Sequence, residues 1–203
     1  MTRAFEDIAF TNSVRAAQHR YGSRYSGLGG GGARQDILTR YEIDFLAERD
    51  SFYMGSVSES GWPYFQYRGG PKGFLKVLDD THIGFADFKG NRQYISVGNL
   101  NSDDRVSLFL MDYPNRQRLK IWARARIVDM DNEADLVARL AVPGYRARVE
   151  RGVILTLEAL DWNCPQHITP RFSDEEVRRI IFPLLEENRE LKEKLAQVAA
   201  HID

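Results

Sequence analysis

Gly90-Asn-Arg-Gln93 brings a permissive glycine, a helix-capping residue, a guanidinium and a neutral amide into four consecutive positions. Gly90 allows close backbone approach, and Asn91 is of the type that caps helices. The spacing predicts a helix opening at Asn91, with Arg92 and Gln93 in its first turn. Free amides and the helix dipole at such a start favour an anion, and a guanidinium offers a forked partner for a phosphate. The competing reading is an ordinary helix start. Against it, an arginine in a first turn opposes the dipole unless an anion accompanies it.

A second basic group follows. Arg116, Arg118, Lys120, Arg124 and Arg126 share one parity around Trp122, so a strand would present them on one face. That face is either solvated and balanced by Asp129, Asp131 and Glu133, or a surface for a planar anion or single-stranded nucleic acid. Other patterns carry less. Gly27, Gly29 and Gly32 fit GxGxxG, but no strand leads into them and a flexible loop explains them better. His19, His82, His167 and His201 lack metal-ligand spacing, and the single Cys164 allows neither an intrachain disulfide nor a structural zinc set. No Ser-His-Asp set is present. His167 and Tyr94 are the two candidates for proton transfer, and no catalytic residue is assigned.

The elements that must position these residues fall into three regions: a helical segment over 1–50, a β-rich body over 51–172 and a helix over 173–203. In the first, Ile37 to Arg49 has helical apolar spacing. The second changes period, with short strands expected at 52–58, 62–68, 74–78 and 82–86. A buried strand follows around Val106–Met111, and then an alternating one in which Ile121, Ala123, Ala125 and Ile127 share a face. A helix over Asn132–Leu140 precedes a last strand over Gly152–Leu160. This is a mainly β chain with flanking helices (α+β), built as an antiparallel barrel or sandwich. In the third region, Ser173 and Glu176 form a capping box. Val177, Ile181, Leu184, Asn188, Leu191, Leu195 and Val198 then follow heptad spacing, with Pro183 expected to bend the helix. That helix either docks on its own domain or meets a second copy, with Asn188 fixing the register.

Composition narrows the function. The 203 residues are 43% hydrophobic, enough for one domain with a core, and the net charge of -1 argues against a nucleic-acid binder. No run is apolar enough to span a membrane, and Glu6 and Asp7 break any secretory pattern at the start. With its single cysteine, the chain suits a reducing cytoplasm.

Read in order, the motifs Gly61-Trp-Pro-Tyr, Gln66-Tyr-Arg-Gly-Gly-Pro71, Phe85-Ala-Asp, Gly90-Asn-Arg-Gln93, Arg105-Val-Ser-Leu and Arg118-Leu-Lys-Ile-Trp-Ala-Arg124 form a recognisable series. Over roughly residues 40 to 172 this series resembles the pyridoxamine 5'-phosphate oxidase-like, FMN-binding split-barrel proteins. Asn163-Cys-Pro-Gln-His-Ile168 with Pro170-Arg171 resembles a segment of one branch of that group. The resemblance implies an antiparallel split β-barrel and a homodimer with FMN at its interface. Gln66 and Arg68 with the neighbouring turn would border the flavin, and the backbone at Ala86 and Asp87 would face its ring. Asn91, Arg92 and Gln93 would hold the 5'-phosphate, and Arg118 would reach the cofactor. Trp162 and Gln166 would belong to a partner-subunit segment closing the pocket. Gln93 stands where vitamin B6 oxidases carry lysine, and their C-terminal Arg-x-His segment is missing, so the resemblance points to a flavoprotein oxidoreductase other than a vitamin B6 oxidase, with a small molecule as substrate. A non-catalytic flavin sensor or carrier is the alternative, as is a barrel holding F420 or a haem on His167.

Overall fold

The structure, a computed structural model, describes residues 5–23, 36–162 and 165–199. The Gly27–Gly32 run, Asn163, Cys164 and His201 lie outside the described residues, as does the side chain of Val198. The chain divides into two compact units, Met1–Asp112 with Gln117–Pro165, and Tyr113–Arg116 with Gln166–Asp203.

The first unit is an antiparallel split barrel. Its strands are β1 (Ser51–Val57), β2 (Pro63–Gly69), β3 (Leu75–Val77), β4 (His82–Phe88), β5 (Arg105–Asp112), β6 (Gln117–Asp129) and β7 (Val149–Trp162). They form one seven-stranded sheet in the order β2-β1-β5-β6-β7-β4-β3, and every neighbouring pair is antiparallel. Alternation does the sorting. Val106, Leu108 and Leu110 of β5 and Leu119, Ile121 and Ala123 of β6 are buried, while the residues between them form the outer face. Phe52, Met54, Phe74, Phe85 and Leu155 fill the same interior. Tight turns set the register: Gly61, at φ 82°, turns β1 into β2 in a conformation that favours glycine.

Most of the helices of this unit contact the sheet. The described N-terminal helices are α1 (Phe5–Ala9), which packs on β7, and α2 (Asn12–Arg20). α3 (Arg40–Ala47) is opened by a capping box between Thr39 and Glu42 and buries Phe45 and Leu46. α4 (Ile95–Ser102) links β4 to β5. α5 (Met130–Leu140) sets Val137 and Leu140 against Ala86, Val128 and Ile154, forming a second, smaller core. Two glycines on paired strands make room for it. A Cβ would lie 2.8 Å from Leu140 Cδ2 if built at Gly84, and 2.7 Å from Leu140 Cδ1 if built at Gly152.

In the second unit α6 (Asp174–Ala199) starts at the expected capping box. Ser173 N donates to Glu176 Oε2 at 2.7 Å, and Glu176 N donates to Ser173 Oγ at 3.3 Å. α6 contains Pro183, and the Arg171 guanidinium lies 5.0 Å from the Tyr113 ring centre.

Three local expectations need correction. The helix expected at Asn91 begins at Ile95, because Asn91 Oδ1 accepts from Gln93 N at 3.2 Å in a local turn. Left-handed backbone at Arg92 (φ 61°) and Tyr94 (φ 55°) then postpones the helix. The helix expected from Ile37 starts at Arg40, where Thr39 caps it. Arg116 is not on the basic strand: it sits in the turn before β6 at φ 53°.

Candidate functional site

A cleft of about 200 Å³ opens where β2, the β4–α4 loop and the start of β7 converge. Strand β2 supplies Tyr64, Gln66 and Arg68, β4 supplies Asp87, the loop supplies Gly90 to Tyr94, and β7 supplies Glu150 and Arg151. Ser96 and Val97 come from the first turn of α4. Three guanidiniums (Arg68, Arg92, Arg151) stand against two carboxylates (Asp87, Glu150), leaving the lining with an excess of one positive charge.

These groups form a continuous chain. Asp87 accepts from Arg68 Nη1 at 2.7 Å and from Arg151 Nη1 at 2.8 Å. Arg151 Nη2 donates to Glu150 at 3.3 Å, and its guanidinium lies 4.9 Å from the Tyr94 ring centre. The Tyr94 hydroxyl donates to Glu150 at 3.4 Å and accepts from Arg92 Nε at 3.0 Å. Burial pulls the Arg151 guanidinium down, but its bonds and charge contacts with Asp87, Tyr94 and Glu150 outweigh this and hold it above the usual value. Arg92 is raised by the Tyr94 hydroxyl and then by the Glu150 charge. Both arginines remain cations throughout the physiological range.

Donors are left over. Among the described residues, Arg68 Nε and Ser96 Oγ are buried without a hydrogen-bond partner. Tyr94, the residue before α4, gives the helix no side-chain cap, and Ile95, Ser96 and Val97 of its first turn line the cleft. On β4, pairing with β3 ends at Leu75↔Phe85, so among the described residues no strand covers that side of Ala86 and Asp87. Together these donors can hold an anion and a group that reads backbone polar atoms.

Of the residues proposed from sequence, Gln66, Arg68, Asp87, Asn91, Arg92 and Gln93 line this cleft, and Tyr94 joins them. Ala86 is buried in the smaller core, opposite Gly152. Arg118 stands on the outer face of β6, its guanidinium 4.9 Å from the Phe109 ring centre and its Nε buried, with no hydrogen-bond partner among the described residues. Trp162 is anchored elsewhere, its Nε1 donating to Glu42 at 2.7 Å and its ring against Tyr41 and Phe45. Gln166 and His167 belong to the second unit. The rest of the basic strand is neutralised: Lys120 pairs with Asp161, Arg124 with Asp104 and Glu158, and Arg126 with Glu133.

Sequence reasoning missed Arg151, Glu150 and Ser96. Arg151 is the opposite number of Asp87 in the β4–β7 register, visible only once that pairing is known. A pair of charges opening an otherwise apolar strand, Glu150-Arg151 before Gly152-Val-Ile-Leu, was the available clue.

No curated protein matches this sequence. Among solved structures, HupZ from Group A Streptococcus superposes with a TM-score of 0.50 at 14% identity, over 66% of this chain and 99% of that one. A single-site variant of the same protein gives 0.50 at 15%, over 62% and 99%. A putative pyridoxamine 5'-phosphate oxidase from Lactobacillus delbrueckii gives 0.48 at 20%, over 63% and 96%. At these identities the HupZ likeness speaks to the fold. Sequence evidence goes further, since the family model described as pyridoxamine 5'-phosphate oxidase matches residues 42–161. That match covers the sheet up to Asp161 and every residue of the cleft, and the chain therefore belongs to the pyridoxamine 5'-phosphate oxidase family.

Proposed function

We propose that this protein is a flavoprotein that holds FMN in the cleft and acts as an oxidoreductase on a small molecule, working as a homodimer. The observation carrying this reading is the pair of buried donors without partners, Arg68 Nε and Ser96 Oγ, beside an uncapped helix start in a net cationic cleft. Such donors cost free energy unless a ligand completes them.

The residues fit the cofactor. Asn91, Arg92 and Gln93 with the first amides of α4 suit a phosphate. Gln93 brings a neutral donor, so charge neutralisation falls on Arg92. Arg68 is fixed in direction by Asp87 and keeps Nε for the ligand. The uncovered edge of β4 at Ala86 and Asp87 suits the polar rim of a flavin ring. Bound FMN supplies the hydride or electron chemistry, while the protein orients it and excludes water.

The outer face of the sheet supports the dimer. Phe65 and Tyr67 of β2 are 63% and 57% exposed, and Tyr53 beside them on β1 is 41% exposed. Aromatics concentrated on one face are what a subunit interface uses. The Arg118 guanidinium is on the same outer side of the sheet, where it would lie near a partner packed on this face. The single cysteine fits a reducing cytoplasm.

Purified protein made with ample riboflavin should be yellow and release FMN identified by mass spectrometry. A colourless protein without FMN rejects the reading, and a haem or F420 spectrum replaces the ligand. Reduction of the bound flavin by nicotinamide donors, with reoxidation by a small-molecule acceptor, tests the oxidoreductase step. Bound FMN without turnover would make the protein a sensor or carrier.

A further inference from the structure

α6 carries a complete coiled-coil seam on its surface. Ile181, Asn188 and Leu195 occupy the a positions and Val177, Leu184 and Leu191 the d positions of successive heptads. All five apolar members of this seam are exposed, from 38% at Val177 to 70% at Leu195. Ile180 and Leu185, at g and e, widen the stripe and are 58% and 60% exposed.

The seam specifies its own occupant. An asparagine at an a position needs an amide opposite it, and in a parallel, in-register pair it faces its twofold mate. In an antiparallel pair it would face an apolar d side chain and lose that partner. The flanking charges agree. Glu187 at g is set to meet Lys192 at e of the other copy, which is the g-to-e pairing of parallel helices. Within the helix Arg179 pairs with Glu175 and Arg189 with Glu186, while among the described residues Glu187 and Lys192, like outward Glu190 and Glu193, have no ion-pair partner in the chain. Ile181 at a with Leu184 and Leu191 at d favours two strands.

We propose that α6 pairs with the α6 of a second copy as a parallel, in-register, two-stranded coiled coil, with Asn188 facing Asn188 across the twofold axis. This contact does not require the flavin, and a colourless protein that pairs through α6 would remove the flavin reading alone.

Disulfide trapping in the full-length chain tests it, in a Cys164→Ser background with one cysteine introduced. The Asn188→Cys variant should form a linked dimer about tenfold faster than Glu193→Cys, whose position faces outward. A Leu184→Cys variant, also on the seam, should behave like Asn188→Cys and guards against a fault at one site. Adding Lys192→Glu should slow trapping about fivefold, and Glu187→Lys on top should restore it. Equal trapping at positions 188 and 193, as expected if α6 docks on its own chain, a membrane or another protein, overturns the proposal. Failure of the charge swap to restore the rate overturns the parallel register.

Discussion

Asp87 is shared by two guanidiniums, Arg68 and Arg151, and its side chain is only 10% exposed. Removing it would leave two cations facing each other in a partly desolvated site. Asp87→Ala is expected to cost about 3–5 kcal/mol of stability, measured by urea unfolding. Arg92 lies at the exposed end of the same chain of contacts, so Arg92→Ala should leave the urea midpoint unchanged. It should weaken FMN binding at least about tenfold in a flavin titration. Equal flavin affinity in that variant would remove the phosphate role. Arg92 was legible as a candidate because it sits in a compact local motif, and Asp87 was read only for its backbone, through the Phe85-Ala-Asp resemblance, not for its carboxylate. Arg151 was not legible, since 64 residues separate it from Asp87 and only strand pairing makes them neighbours.

At the scale of elements, β-strand periods were readable because burial on one face forces alternation. Helix starts were less so, because a cap such as Asn91 can spend its side chain on a turn instead. Two structural joints give measurable expectations. Gly84 lies under Leu140 of α5 and beside Val153 O, so Gly84→Ala should cost about 1–3 kcal/mol by chemical denaturation as the helix is pushed off the sheet. Asp103, at the exit of α4, is lowered from 3.8 to about 2, first by the Arg105 guanidinium and then by the Arg105 amide. Asp79, in the turn between β3 and β4, falls equally far, mainly through the Thr81 amide. A carboxylate depressed in the folded state stabilises it above its unfolded value, and that contribution disappears as pH falls from about 4 through about 2. Melting temperature should therefore drop across that window, and less steeply in Asp103→Asn. An unchanged slope would show that the Arg105 contacts contribute nothing to acid stability.

For the whole molecule, the sheet order could not be read from the chain, because β4 pairs with β7 and β1 with β5 across long separations. The aromatic outer face is more local, since Tyr53, Phe65 and Tyr67 belong to the β1–β2 hairpin. Sedimentation should find the wild-type protein dimeric, and Phe65→Glu should lose flavin if the cofactor sits at this face, even while α6 holds two copies together. A Phe65→Glu variant with full flavin would exclude this face as the cofactor contact. Left-handed backbone at Arg92 and Tyr94 has a consequence for selection. Glycine or asparagine would hold that loop at lower conformational cost, so an arginine there is a concession of stability. Libraries screened for thermal stability alone should enrich Arg92→Gly and Arg92→Asn, whereas libraries screened for ligand retention should restore the arginine.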